Sequence, residues 1–430
     1  VSATTSVPTP VRRLLGDALL IARGTVFGHA PFVLVMPLIT RLYPPAELGL
    51  YGLALAFVGI AAPVAGLRFE LAAISARDSD DARALLLLSA LAILPITCLC
   101  TGLLCGLKLL GVGAYNALPW WMVGATAIIV AASGAYSTLR CWLVRHHRFR
   151  LVATSLSLQG YIRGGIPVVL APVGASAALL LAGELVSRLS AVALMMRQGA
   201  LQAARRALRT PRSALRERAS RFWKYPVLLA PSALIDAAAT ALPVPVLATC
   251  YGLPAAGKFA LVQRLVMLPA ILIVGSVGDV FHAHAADMAH QQPAATAGLL
   301  ANTAGRLLLF AVAVYLPVAL VAPFIAGWVF GSGWADAGAM IAVLAPTCIA
   351  QTVVSPLSRG LLISGREEQK LVADIAFLLV PILTLYFASS HPLIVAIAYF
   401  SGASVVSFLI YYVVIRRALD GGVNSPGARR

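Results

Sequence analysis

Long apolar runs of about twenty residues recur along the whole chain, divided by short polar or basic stretches. A helix needs roughly 20 apolar residues to cross the hydrocarbon core of a bilayer. The runs predict twelve spans, at about 15–40, 46–67, 84–107, 118–144, 151–172, 175–196, 225–249, 255–281, 299–327, 336–363, 371–389 and 392–415. The expected fold is an all-α polytopic membrane protein. Only one interruption is substantial, the basic stretch 197–224. It divides the chain into an N-terminal six-helix lobe (1–196), a basic cytoplasmic linker (197–224), a C-terminal six-helix lobe (225–415) and a basic cytoplasmic tail (416–430).

The second lobe reads as a copy of the first. Sliding by 208 positions pairs Pro37 with Pro245, Tyr43 with Tyr251, Gly49 with Gly257, Leu53 with Leu261, Val58 with Val266 and Ala62 with Ala270, and sets Tyr51 against Phe259. Further along, at an offset of 220, Gly111-Val-Gly113 meets Gly331-Ser-Gly333 and Leu151-Val-Ala153 meets Leu371-Val-Ala373. A copy displaced by six spans keeps its orientation, so the lobes are expected to be parallel repeats about an axis along the membrane normal. That plan places a substrate site between them, near mid-membrane.

Charge fixes the expected orientation. Basic residues gather at Arg12 and Arg13, in Arg68–Arg83, in Arg145-His-His-Arg-Phe-Arg150, in the linker, in Ser364-Gly-Arg-Glu-Glu-Gln-Lys370 and in the tail at Arg416, Arg417, Arg429 and Arg430. All fall on one side of a twelve-span chain, and the positive-inside rule makes that side cytoplasmic, with both termini inside. Trp120 and Trp121 sit at an outer end, as interfacial aromatics do. In the linker, Leu201, Leu208 and Leu215 recur every seven residues, which predicts an amphipathic helix on the inner leaflet, broken at Pro211. Each basic residue there adds about 1 kcal/mol of attraction to anionic lipid.

Composition agrees and removes other classes. The chain is 60% hydrophobic and 11% charged, against about 25% charged in soluble proteins, and its mean hydropathy is +0.89. The net charge of +17 serves topology and not nucleic acid. Six cysteines lie in or beside apolar spans and read as buried filler, without disulfide or metal spacing. His282-x-His284 reads as part of a solvated loop, and His29 as a hydrogen-bonded interior residue. Gly252-Leu-Pro-Ala-Ala-Gly257-Lys258 mimics a phosphate-binding loop, but Phe259 follows where the magnesium-binding hydroxyl belongs, and no strand precedes it. No cofactor, metal or nucleic acid is expected, and no nucleophile–base–acid set stands in an aqueous loop.

Scattered segments carry a resemblance: Pro37-Leu-Ile-Thr-Arg-Leu-Tyr-Pro-Pro-Ala-Glu-Leu-Gly-Leu-Tyr51, Leu67-Arg-Phe-Glu-Leu-Ala72, Pro231-Ser-Ala-Leu-Ile235, Leu242-Pro-Val, Tyr251-Gly-Leu-Pro-Ala-Ala-Gly257, Gln263-Arg264, Leu268-Pro269, Val280-Phe281, Phe330-Gly, Ser355-Pro-Leu357 and Ser364-Gly-Arg366. Together they resemble the bacterial O-antigen and exopolysaccharide flippases of the multidrug/oligosaccharidyl-lipid/polysaccharide exporter superfamily. The resemblance implies translocation of an undecaprenyl-diphosphate-linked oligosaccharide across the inner membrane by alternating access. It also implies contact with membrane lipids, a proton or sodium as coupling ion, and a polysaccharide polymerase and other assembly proteins as partners. The runner-up is a multidrug or metabolite cation antiporter of the same superfamily. A membrane enzyme, a polysaccharide polymerase or acyltransferase, comes third, because every outer loop is short.

Seven arginines fall inside predicted spans: Arg23, Arg140, Arg163, Arg188, Arg264, Arg306 and Arg359. Each costs about 2.5–3.5 kcal/mol at mid-membrane on insertion scales, so several of them demand partners or a watery cavity. Acidic residues in or at the ends of spans are fewer, namely Asp17, Glu184, Asp236, Asp279 and Asp374. Glu184 and Arg188, spaced i,i+4, are expected to satisfy each other. The remaining cationic excess suits a diphosphate, which guanidinium binds bidentately. Arg23, Arg163, Arg264, Arg140, Arg306 and Arg359 are therefore the candidate substrate-binding set. Arg140, Arg306 and Arg359 also lie close enough to inner ends to snorkel. Asp236, alone on its span, is the candidate ion-coupling residue.

Overall fold

The computed structural model describes residues 24, 27–28, 30–76, 78–200, 210–270, 293–358 and 367–420. Among them the elements are helical throughout. The first half comprises α1 (Ala30–Leu42), α2 (Pro45–Ala61), α3 (Phe69–Ser75), α4 (Ser79–Leu109), α5 (Trp120–Arg145), α6 (Phe149–Leu170) and α7 (Ala177–Met195). After α8 (Arg212–Arg221), the second half comprises α9 (Ala230–Ala241), α10 (Pro243–Tyr251), α11 (253–270), α12 (Pro293–Phe330), α13 (Asp336–Leu357), α14 (Glu367–Phe387) and α15 (Leu393–Asp420).

Nine helical stretches among the described residues are long and apolar enough to cross a membrane. Each falls within a few residues of an expected span. Of the other three, 15–40 and 255–281 are described only in part, as α1 and α11. The expected span 151–172 is the 22-residue helix α6, kept out of the apolar set by a sequence that includes Gln159 and Arg163. Outward-facing Leu94, Leu99, Leu309 and Phe324 are largely exposed. An apolar exterior of that extent belongs in lipid, not water. The chain is a multi-pass membrane protein.

Local chemistry sets the helix starts. Pro45 opens α2, where a missing N–H costs nothing. Two residues on, Glu47 reaches across to α7, and its Oε2 accepts the Ala177 N–H at 2.6 Å, placing negative charge at that helix's N-terminus. The Asp78 side chain caps α4 by accepting the Asp80 N–H at 3.2 Å.

The repeat is written into the packing. Tyr43 donates its hydroxyl to the Pro167 carbonyl at 2.8 Å, and its counterpart Tyr251 donates to the His391 carbonyl at 2.8 Å and the Ala388 carbonyl at 3.2 Å. Each tyrosine thereby ties its span to the far end of the fifth span of its own half. Between the halves the contacts are reciprocal. A β-carbon on Gly49 would fall on the Leu253 carbonyl oxygen, and one on Gly257 would fall on the Pro45 carbonyl oxygen. Only glycine permits so close an approach of α2 and α11. The turns behave likewise: Ala114 N–H donates to Thr249 Oγ1 at 3.0 Å, while Trp334 Nε1 donates to the Thr40 carbonyl at 2.7 Å. Arg41 adds a bond to the Trp328 carbonyl at 2.6 Å. One end of the molecule is thus zipped across the halves.

One expectation, that the cysteines are buried filler, needs correction, and two polar segments are built into the fold. In Arg68–Arg83, α3 packs Phe69, Ala72 and Ala73 into a core with Leu85 and Leu86. The linker is tied to the first half. Helix α8 starts after Pro211, and Arg218 and Arg221 bind Asp81 of α4 at 2.7 and 3.2 Å. The cysteines are all free, but only Cys141 and Cys348 are buried, and Cys98 faces outward. The part of the expected leucine stripe at Leu201 and Leu208, and the histidines His29, His282 and His284, lie outside the described residues.

Candidate functional site

A cavity of about 570 Å³ lies between the halves. From the first half its wall takes Phe32 on α1, Val58 and Gly59 on α2, Arg68 just before α3, Tyr136 and Arg140 on α5, Arg163 on α6, and Glu184 and Arg188 on α7. The second half contributes Thr240 from α9 and Gln263, Arg264, Met267 and Leu268 from α11. Five arginines and one carboxylate face the same space.

The carboxylate organises part of the set. Glu184 is buried, and its Oε1 accepts from Arg188 Nε at 3.0 Å and Nη2 at 2.8 Å. Its Oε2 receives the Tyr51 hydroxyl at 3.4 Å and stands 3.9 Å from Arg163 Nη1. The i,i+4 pairing expected from sequence is present, with Arg163 added. Aromatic rings hold Arg163 and Arg264. Arg163 lies over Phe32, 4.8 Å from the ring centroid; Arg264 lies over the same ring at 5.6 Å and over Tyr51 at 4.8 Å. Cations from opposite halves therefore converge on one phenyl ring, an arrangement favoured by the ring quadrupole.

Arg68 enters the cavity by an unusual backbone. Leu67 and Arg68 both take left-handed conformations, with φ of 51° and 61°. Two successive side-chain-bearing residues there are strained, and such strain gathers at functional sites. Beneath them Glu70 is buried and accepts the Ser89 hydroxyl at 3.1 Å, and Ser89 shares a hydrogen bond with Thr138 at 2.9 Å. Burial pushes the Glu70 carboxyl above the usual carboxylate range, against the opposing pull of Arg68 and Ser89.

Of the residues singled out from sequence, Arg140, Arg163 and Arg264 come together in this cavity. Arg306 is exposed on α12 and is not part of its wall. Arg23 and Arg359 lie outside the described residues. Asp236 is on α9, also off the wall. It is within electrostatic reach of Tyr411, whose hydroxyl donates to Asp374 at 3.0 Å. Sequence reasoning missed Arg68, Phe32 and Tyr51. Arg68 and Tyr51 both sit in segments that carried the family resemblance.

The fold is thus a membrane-embedded pair of helical halves around an inter-lobe cavity. The match of residues 15–281 goes further: the chain belongs to the polysaccharide biosynthesis protein family. Solved structures share the fold. The lipid II flippase MurJ in an inward closed conformation aligns at TM-score 0.69 and 13% identity, over 92% of this chain and 87% of its own. A multidrug resistance MATE family transporter of the MOP superfamily, inward-facing, aligns at 0.63 and 16%, over 96% of each chain. A MOP superfamily transporter from Pyrococcus furiosus, described by the reverse polarity of its binding pocket, aligns at 0.61 and 13%, over 94% of this chain and 96% of its own. No curated protein sequence matches the chain.

Proposed function

We propose that this protein is a flippase that carries an undecaprenyl-diphosphate-linked oligosaccharide across the bacterial inner membrane by alternating access. The observation that carries the reading is the cavity wall, five arginines against the single carboxylate Glu184. Isolated arginines at membrane depth are expensive; gathered around water and an anionic ligand they are compensated. A diphosphate offers oxygens to several guanidiniums at once. Membership of the polysaccharide biosynthesis family supports a glycan as cargo, and the flippase among the structures of this fold supports a lipid-linked one. A cation antiporter fits less well, since this wall repels cations.

The proposed working parts are the lobes 1–196 and 225–415, joined by the linker 197–224, with the tail 416–430 and both termini cytoplasmic. In that orientation the zipped end is periplasmic and the lobes are closed to the outside. Arg140, Arg163 and Arg264 hold the diphosphate, and Arg68 joins them. Arg23, Arg306 and Arg359 stay candidates on sequence grounds. Asp236, near Tyr411 and Asp374, takes the coupling proton or sodium. The test is glycan export in cells carrying Arg163→Gln or Arg264→Gln at normal membrane levels. Export should fall, with only partial recovery for Lys, which keeps charge but lacks the planar fork. Full recovery by Lys, or unaltered export in Gln variants, would refute diphosphate binding there.

A further inference from the structure

We propose that Glu184 is a resident counter-anion: it holds Arg188 permanently through one carboxylate oxygen and Arg163 provisionally through the other, so that substrate phosphate captures Arg163 by exchange. This rests on the diphosphate reading above and adds to it a residue whose charge is opposite to that of the binding set.

The two oxygens of Glu184 are unequal. Oε1 is taken by Arg188 with two contacts at 2.8 and 3.0 Å, the length of charge-assisted hydrogen bonds. Oε2 has only the Tyr51 hydroxyl at 3.4 Å and Arg163 Nη1 at 3.9 Å. The latter is an ion pair too long for a hydrogen bond. Arg163 is under-satisfied in another way, because its buried Nε has no hydrogen-bond partner among the described residues. Its guanidinium lies against Phe32, the ring that Arg264 also approaches from the other half. Arg163 is thus held weakly by Glu184, has an Nε without a hydrogen-bond partner among the described residues, and sits beside the second-half arginine with which a diphosphate would be shared.

A buried cation without a counter-charge is strongly disfavoured. Glu184 keeps the empty cavity from being purely cationic, and its long contact to Arg163 is weak enough for an arriving anion to replace. Arg188 is already committed and is predicted to stay on Glu184 when the cavity fills. Tyr51 tunes the exchange: its hydroxyl on Oε2 competes with Arg163 for the same oxygen. The two substitutions Glu184→Gln and Tyr51→Phe should therefore act in opposite directions. A carboxylate that served only to brace the fold predicts no such opposition.

The experiment is equilibrium binding of farnesyl diphosphate, a short-chain probe, to the purified full-length protein in nanodiscs. Wild type must bind, and Arg264→Gln must weaken binding; failure of either withdraws the diphosphate cavity itself. Given that, Glu184→Gln should bind about two- to fivefold tighter, the ratio for removing a long, weak ion-pair competitor. The gain should vanish in the Arg163→Gln background, and probe release should slow. Equal or weaker binding by folded Glu184→Gln, or a gain that persists without Arg163, overturns the proposal while leaving the cavity reading in place. If Glu184→Gln does not accumulate, Tyr51→Phe decides, since it keeps the ring under Arg264 and frees Oε2 for Arg163. Weaker binding then supports the exchange; unchanged or tighter binding overturns it.

Discussion

In the proposed alternating access, closing of the zipped end depends on two glycines, and Gly257→Val is the sharpest way to test it. The new β-carbon would fall on the Pro45 carbonyl oxygen and within 2.7 Å of the Gly49 amide nitrogen. Both obstacles are backbone atoms of a packed helix, so no rotamer relieves them. Restoring van der Waals distance requires α2 and α11 to part by about an ångström. The bonds from Trp334 to Thr40, Ala114 to Thr249 and Arg41 to Trp328, at 2.6–3.0 Å, have little room to stretch. Overpacking of this kind costs about 1–3 kcal/mol. Applied to the closed state alone, that shifts a two-state balance toward opening by roughly 5- to 150-fold. The assay is a distance distribution between spin labels at Asn116 and Ser332, exposed on the two turns, in a cysteine-free background. Wild type should give one short distance, and Gly257→Val a second, longer population. Gly49→Val should do the same, because its β-carbon meets the Leu253 carbonyl in the mirrored contact. Unchanged distributions in both variants, at normal protein levels, would refute the argument that these glycines close the lobes.

Two further outcomes follow from named contacts. Asp81→Asn removes the charge that holds Arg218 and Arg221, so α8 should loosen from α4 by about 1–2 kcal/mol, read as several-fold faster tryptic cleavage within 197–224. Tyr43→Phe strands a buried carbonyl at Pro167 and should cost about 1–2 kcal/mol in thermal stability; Tyr251→Phe, whose bond to His391 is exposed, should cost less, and an equal loss would argue against burial as the cause.

Span positions were legible because length and hydropathy alone decide them. Each of the nine apolar helices sits within a few residues of its expected place. Helix α3 was not legible for the same reason: seven residues with Glu70 in the first turn look like a solvated loop. Its burial comes from contacts with α4 and with Phe222 and Tyr225 after α8, which no local pattern encodes. The repeat was legible through punctuation. The glycines and tyrosines matched at an offset of 208 turned out to make equivalent or reciprocal contacts, whereas their neighbours in the alignment are ordinary apolar residues.

The site was half legible, and the missing half has a physical cause. A charged residue in an apolar run announces its depth, so Arg140 and Arg306 looked alike, each a turn or two from an inner end. Which way each one faces is a different question. In water an amphipathic stripe answers it, but here both lipid and protein interior are apolar, so the helix face is not written in hydropathy. Arg140 lines the cavity and Arg306 is exposed on α12. The same distinction separates scaffold from site. The reciprocal glycine and turn contacts obey the repeat, yet the cavity wall does not: Arg68, Arg140, Arg163 and Arg188 come from the first half and Arg264 alone from the second. A near-symmetric scaffold around an asymmetric charge cluster has a mechanical consequence for the proposed alternating access. Rocking the lobes apart would take Arg264 from the Phe32 and Tyr51 rings while Arg163 keeps Phe32, so the grip on the proposed anion would change with the conformation even though neither half changes internally.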